Sequence, residues 1–253
     1  MEMMGFNIEA EMVFFAITIA ALAAIQSVFG MGLLVFGTPT LLIAGYEFTN
    51  TLGLLLPASF LLSLAQVLSQ RKERPPISKS LWVICLPSIG FSLFITVQKE
   101  AFEEIYLMIA AVLFVASLLR LSERVRMSFR DQIQRNLKVF HLIMGVLHGI
   151  SNMGGALLGI MASTVHPAKS NARYVTAFYY LFFVLIQIFV LLISAGPNIF
   201  LQGAVMAPIA LAVFYIFGNR IFHHLGNAIF NNAMTMFLLA YAVTLILKWC
   251  KVI

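Results

Sequence analysis

Two long apolar stretches of this chain are each interrupted by a short glycine-bearing break, and those breaks restrict the fold more than any other feature. The first, Gly30-Met31-Gly32, lies inside an apolar run from Met12 to Gly45. The second, Ser151-Asn152-Met153-Gly154-Gly155, lies inside a run from Val139 to Val165. Gly32 and Gly155 stand 123 residues apart in a chain of 253, so each break opens one half. Backbone is unwound inside a bilayer only where protein or a water-filled cavity satisfies its N–H and C=O groups. Matched interruptions in two halves therefore point to a ligand site.

The solvent for this chain is lipid. It is 61% hydrophobic and 10% charged, against about 25% charged in a soluble domain. The net charge of +6 sits mostly in loops between apolar spans, where it sets topology rather than recruiting nucleic acid. Cys85 and Cys250 form no disulfide framework or metal spacing and read as packing residues. No cofactor motif is present. Glu2, Glu9 and Glu11 precede the first apolar run without any Lys or Arg, so that run reads as structure and not as a secretory signal.

Full spans are expected at about 50–69, 81–97, 103–121, 174–194, 199–217 and 229–248, each close to the ~17–25 residues a membrane helix needs. The segments 12–46 and 139–165 differ. Most of their arms (Met12–Phe29, Leu33–Ala44, Val139–Ile150 and Ala156–Val165) are short for a crossing, which suits helical hairpins that enter and leave on one side. The loop with Arg71, Lys72, Arg74 and Lys79 and the stretch from Arg120 to Lys138 belong in the cytoplasm by the positive-inside rule. Glu100, Glu103 and Glu104 then fall outside, as do both termini. The expected fold is an all-α polytopic membrane protein of two inverted-topology repeats, 1–121 and 139–253, joined by a basic cytoplasmic linker, 122–138. Each repeat is a broken hairpin followed by three transmembrane helices.

After each break a new helix begins, and a helix N-terminus offers unpaired N–H groups and the positive end of the macrodipole. Two such ends meeting near the midplane would hold an anion without a buried cation. Gly30, Gly32, Gly154 and Gly155 let ligand and backbone approach closely. Gln26 and Ser27 precede the first break by about a turn; His148, Ser151 and Asn152 surround the second. Polar groups inside a membrane are costly and read as functional. Asn152 is the leading candidate, and His148 is the side chain suited to a coupling proton. His141 reads as a surface residue. Thr51 and Arg173 begin the spans after the two hairpins; Arg173 reads either as a snorkelling anchor or as a cation at the cytoplasmic mouth. His223-His224 reads as a solvated loop. All ten acidic residues fit in loops or termini, which disfavours cation transport.

The residues Gly30-Met31-Gly32 with Pro39 and Leu41, the stretch His148 to Leu158, and Gly218-Asn219-Arg220-Ile221 resemble the TauE/SafE sulfite and organosulfonate exporter family over almost the whole chain. Where another glycine is common in that family, this sequence has Asn152-Met153. The resemblance implies a bacterial inner-membrane permease for small anions such as sulfite or sulfoacetate. The combined reading is a secondary transporter, not an enzyme, working by alternating access around a midplane site. Its expected partners are a small anion and the lipid bilayer, with a homodimer as the expected assembly. An anion channel and a non-transporting membrane protein are the competing readings.

Overall fold

A chain dissolved in lipid must pair its own backbone, and here it does so almost entirely through helices. The computed structural model of the protein describes residues 8–70, 74–99, 105–121, 123–166, 168–224 and 226–250. The sidedness expectations that rest on Glu2, Arg71, Lys72, Glu100, Glu103, Glu104 and the chain ends lie outside those residues.

Helices α1 (Ile8–Phe29) and α2 (Leu33–Ile43) form the first hairpin, followed by α3 (Phe48–Ser69), α4 (Leu86–Gln98) and α5 (Ile105–Leu121). Helix α6 (Glu123–Arg135) runs through the expected linker, which is therefore helical. Helices α7 (Leu137–Ser151) and α8 (Gly154–Val165) form the second hairpin, followed by α9 (Lys169–Ser194), α10 (Leu201–Val213), α11 (Asn219–His224) and α12 (Asn227–Trp249). No strand occurs among the described residues.

Among the described residues five segments are long and apolar enough to cross a membrane: Glu9–Phe29, Phe48–Ser69, Leu81–Gln98, Lys169–Ser194 and Pro197–His224. The first is a correction. The α1 arm starts earlier than its apolar run suggested and is long enough to cross by itself. Large apolar side chains such as Val83, Phe91, Phe189 and Ile193 face outward, as lipid contact requires. Cys85 is buried in the packing, whereas Cys250 is exposed and packs nothing. His223 and His224 are exposed, but on α11 and not in a loop.

Helix contact in lipid gains nothing from excluding water, so close backbone approach has to supply the attraction. Gly145 and Gly149, four apart on α7, make that approach to α4. A Cβ at Gly145 would stand 2.6 Å from the Cys85 carbonyl, and one at Gly149 2.6 Å from the Ile89 carbonyl. Gly203 does the same for α10, against the carbonyls of Gly53 and Leu54 on α3. These contacts tie the two sequence halves together. Helix α4 lies along α7 and α9, and α10 lies along α1 and α3. Each hairpin is thus seated on a helix from the other half.

Charge separates along the bundle. At one end Arg74 lies over the Tyr174 ring, Lys169 over the Phe222 ring, and Arg130 beside His166. Burial, and then Arg130, push the His166 imidazole below its ordinary value. At the other end the Tyr46 hydroxyl donates to Glu11 at 3.1 Å and Asn50 donates to Glu47 at 3.2 Å. The base of the α1–α2 hairpin is at the acidic end, and that of α7–α8 is at the basic end.

Substituting Gly149 with leucine should prise α7 from α4 and lower stability by about 1–3 kcal/mol or more. Gly90→Ala is the control, because its Cβ would meet side chains and no backbone, Ile186 at 3.3 Å and Val190 at 3.9 Å. Thermal unfolding in detergent reads both; equal midpoints would contradict the packing account.

Candidate functional site

The two breaks share one local construction. Gly30 (φ 79°) and Asn152 (φ 63°) both take a positive φ, a region that glycine enters freely and asparagine tolerates better than most residues. Each still closes the last turn of its helix: Gly30 N–H donates to Gln26 O at 2.8 Å and Asn152 N–H to His148 O at 2.8 Å. Each is followed by a fully buried methionine, Met31 or Met153. Each then folds a glycine back onto the residue six positions earlier, Gly32 onto Gln26 and Gly154 onto His148. The register is one residue away from the sequence pairing, because Gly32 corresponds to Gly154 and not to Gly155.

The breaks do not meet tip to tip. Gly30 abuts α9 at Arg173 and Thr176, Gly155 abuts it at Tyr180, and Asn152 is bonded to Gln187. They therefore contact successive turns of α9 and pass side by side. Along that passage α2 and α8 run antiparallel: Thr38 meets Asn152, and Val35 meets Gly155. A single anion held between two converging helix ends is not the arrangement present.

The first break is braced from within by side chains, although Gln66 Oε1 among them is buried without a partner. Gln26 accepts the Leu33 N–H at 3.0 Å, capping α2, and donates to Ser63 Oγ at 3.1 Å. Gln66 donates to the Gln26 carbonyl at 2.8 Å and the Ser27 carbonyl at 3.3 Å. Arg173 donates to Ser27 O at 3.1 Å and stacks 3.5 Å above the Phe222 ring. It is 6% exposed, so it neither snorkels nor acts as a surface anchor. The Ser27 hydroxyl turns back to the Ala23 carbonyl at 2.6 Å. Gly30, Gly32, Gln26, Ser27 and Arg173 thus form one group whose polar atoms serve the break itself.

The second break is different. The Asn152 side chain donates to Thr38 Oγ1 at 2.7 Å and accepts from Gln187 Nε2 at 3.1 Å, so it is a strut between α2 and α9. The Ser151 hydroxyl is committed to the Leu147 carbonyl at 2.7 Å. Around the start of α8, however, the Tyr180 hydroxyl, both ring nitrogens of His148 and Gln187 Oε1 are buried with no hydrogen-bond partner. The Tyr180 hydroxyl occupies the space where a Cβ at Gly155 would lie. His148 packs against Phe183, ring centroids 4.6 Å apart, and edge-on to Tyr180. Gln187 flanks the imidazole without hydrogen-bond geometry. Two donors, one acceptor and the N–H groups of a helix start can together bind an oxyanion.

Sequence reasoning grouped His148, Ser151, Asn152, Gly154 and Gly155, which lie around the start of α8, and did not single out Thr38, Tyr180 or Gln187, which the structure places beside them. Gln66 and Gln187 are each the only glutamine of their span, and that intramembrane cost was the available signal. His141 is fully buried, 2.9 Å from the Tyr179 hydroxyl and 3.1 Å from Ser80 Oγ, not at the surface. Thr51 belongs to neither break: it lines a cavity at the acidic end with Glu11 and Tyr46.

Because the two breaks differ in what holds them, they should fail differently. Gly30→Ala forces a Cβ into a left-handed residue and to 2.8 Å from the Arg173 carbonyl, costing upward of about 1–2 kcal/mol. Asn152→Gly keeps the backbone but strands Thr38 and Gln187, costing about 1–3 kcal/mol. Asn152→Leu adds strain to that loss and should unfold at a lower temperature than Asn152→Gly; the reverse order would deny the positive φ its role.

No curated protein and no solved structure matches the sequence. A protein family does, over residues 14–245, nearly the whole chain, with both breaks and the α8 start inside the matched span. Joined to the helical, lipid-facing architecture, that match makes this chain a multi-pass membrane protein of the sulfite exporter TauE/SafE family.

Proposed function

We propose that the protein is a secondary transporter that exports a small sulfur oxyanion or organosulfonate, bound at the start of α8. The observation that carries this reading is the set of unpaired polar atoms on Tyr180, His148 and Gln187, all fully buried beside Gly154 and Gly155. Left unmet, each costs about 1–3 kcal/mol. An anion with several oxygens would accept from the Tyr180 hydroxyl, one His148 N–H and the α8 N-terminus, while Gln187 Oε1 would accept a proton carried by the ligand. No fixed cation is needed, because the helix start supplies the positive potential.

The shared break construction and the hairpin bases at opposite ends support an inverted repeat of 1–121 and 139–253, linked through α6. The gathering of Arg74, Arg130 and Lys169 at one end supports a cytoplasmic assignment for that end. Alternating access would then move each hairpin with the helix that carries it, α1–α2 with α10 and α7–α8 with α4, rather than rocking one sequence half on the other. Expelling an anion from a cell that is negative inside is downhill by ~2.3 kcal/mol per charge per 100 mV. Export therefore requires no coupling ion; import would, and His148 is the group suited to carry its proton.

Tyr180→Phe tests the site cleanly. Removing a hydroxyl that bonds nothing in the protein should leave thermal stability unchanged or raised. Efflux of sulfite from loaded proteoliposomes should nevertheless fall at least tenfold, roughly the loss of one charge-assisted hydrogen bond. Wild-type efflux in the variant would remove Tyr180 from the site, and unitary current steps in a planar bilayer would mark a channel.

A further inference from the structure

A cavity lined by none of the break residues lies at the acidic end. Between the base of the α1–α2 hairpin, the first turns of α3 and the start of α10 it has a volume of about 460 Å³, within the range of small-molecule sites. Its floor at Leu41 lies three residues beyond Thr38 on α2, so it approaches the second break within about 5 Å of helix rise. Its chemistry is nevertheless opposite. Glu11 is the one charged side chain among the lining residues, so an anion placed here meets a carboxylate.

Three observations define what the cavity accepts. The Tyr46 hydroxyl donates to one Glu11 oxygen at 3.1 Å, which orients the carboxylate toward a second donor. Burial, and then Glu11 itself, push the Tyr46 phenol above its ordinary value, so it stays a donor. The rings of Phe15 and Tyr46, 5.2 Å apart and inclined at 56°, form an aromatic corner beside that carboxylate. Thr51 Oγ1 is buried and unpaired, and Asn198 and Gln202 line the same cavity. A carboxylate with aromatic faces is the combination that holds an organic ammonium, by charge and by cation–π attraction. A bare divalent ion would need several carboxylate or carbonyl oxygens at close range, and no group of three His, Cys, Asp or Glu residues forms a metal cluster among the described residues.

We propose that this cavity binds an ammonium group, with Glu11 as its counter-ion, Phe15 and Tyr46 as its aromatic walls, and Thr51 receiving a polar group at its far end. The ammonium comes either from a free amine in solution or from the headgroup of a neighbouring phosphatidylethanolamine. Neither the site nor its test depends on the transport reading.

Isothermal titration of the detergent-purified protein with ethanolamine, and with 1-propanol as the uncharged molecule of similar size, tests the charge requirement. Ethanolamine should bind saturably and 1-propanol should not. Glu11→Gln should weaken ethanolamine at least tenfold at unchanged unfolding temperature, and Phe15→Leu, which keeps the carboxylate, severalfold in protein that stays folded at a somewhat lower unfolding temperature. The same titration in nanodiscs separates the sources. Binding in phosphatidylglycerol but not in phosphatidylethanolamine assigns the site to the lipid headgroup, and equal binding in both assigns it to a free amine. Equal affinity for 1-propanol, no saturable ethanolamine binding to folded protein, or undiminished binding in both folded variants would overturn the proposal. If Glu11→Gln fails to fold, Phe15→Leu alone decides.

Discussion

Everything in this protein turns on how a backbone interrupted inside lipid is kept satisfied. A broken helix frees several N–H and C=O groups at once, and water is not there to meet them. At the first break the answer comes from side chains: Gln26 caps α2, while Gln66 and Arg173 take the carbonyls that end α1. At the second, Asn152 supplies the turn through its own positive φ and spends its amide holding α2 to α9. The same local geometry therefore has its α2 start capped at the first break, where Gln66 Oε1 is left unpaired, and several donors and acceptors left unpaired beside the α8 start at the second.

Glycine spacing determines which helices can stand beside those breaks. The backbone contacts of Gly145 and Gly149 with α4, and of Gly203 with α3, bring helices from opposite sequence halves within van der Waals range. A rigid partner from the other half thus supports each hairpin. Motion at one break would strain the helix beneath it, and the Asn152–Thr38 hydrogen bond and the Val35–Gly155 contact tie the two hairpins to each other directly.

Much of this was legible in the sequence, because periodic apolar runs and glycine interruptions are local signals. The spans, the hairpins, and the grouping of His148, Asn152, Gly154 and Gly155 needed no tertiary information. What the sequence lacked was depth and direction. Nothing local says that Gly30 abuts α9 at Arg173 and Gly155 at Tyr180, so the two tips were expected to meet when they contact different turns of α9. Likewise Arg173 reads as an interface cation until Phe222, distant in sequence, is placed beneath its guanidinium. Tyr180 was hidden among aromatic neighbours in α9, where one tyrosine resembles another until a glycine is found against its hydroxyl.

That last contact also explains why the second break carries two glycines where the first manages with one at the helix start. In the first, Leu33 follows Gly32 and its N–H is met by Gln26. In the second, His148 stands where Gln26 stands, but its shorter, rigid ring does not reach back to cap Gly155, and both of its nitrogens remain unpaired. A side chain at 155 would fill the gap with carbon and displace the Tyr180 hydroxyl. Glycine lets the Tyr180 hydroxyl lie against the start of α8, with the unpaired His148 imidazole edge-on to its ring. The exchange of a capping glutamine for a histidine, with glycine beside it, is the physical difference between a helix start capped by its own break and one whose neighbouring imidazole and phenol stay unpaired.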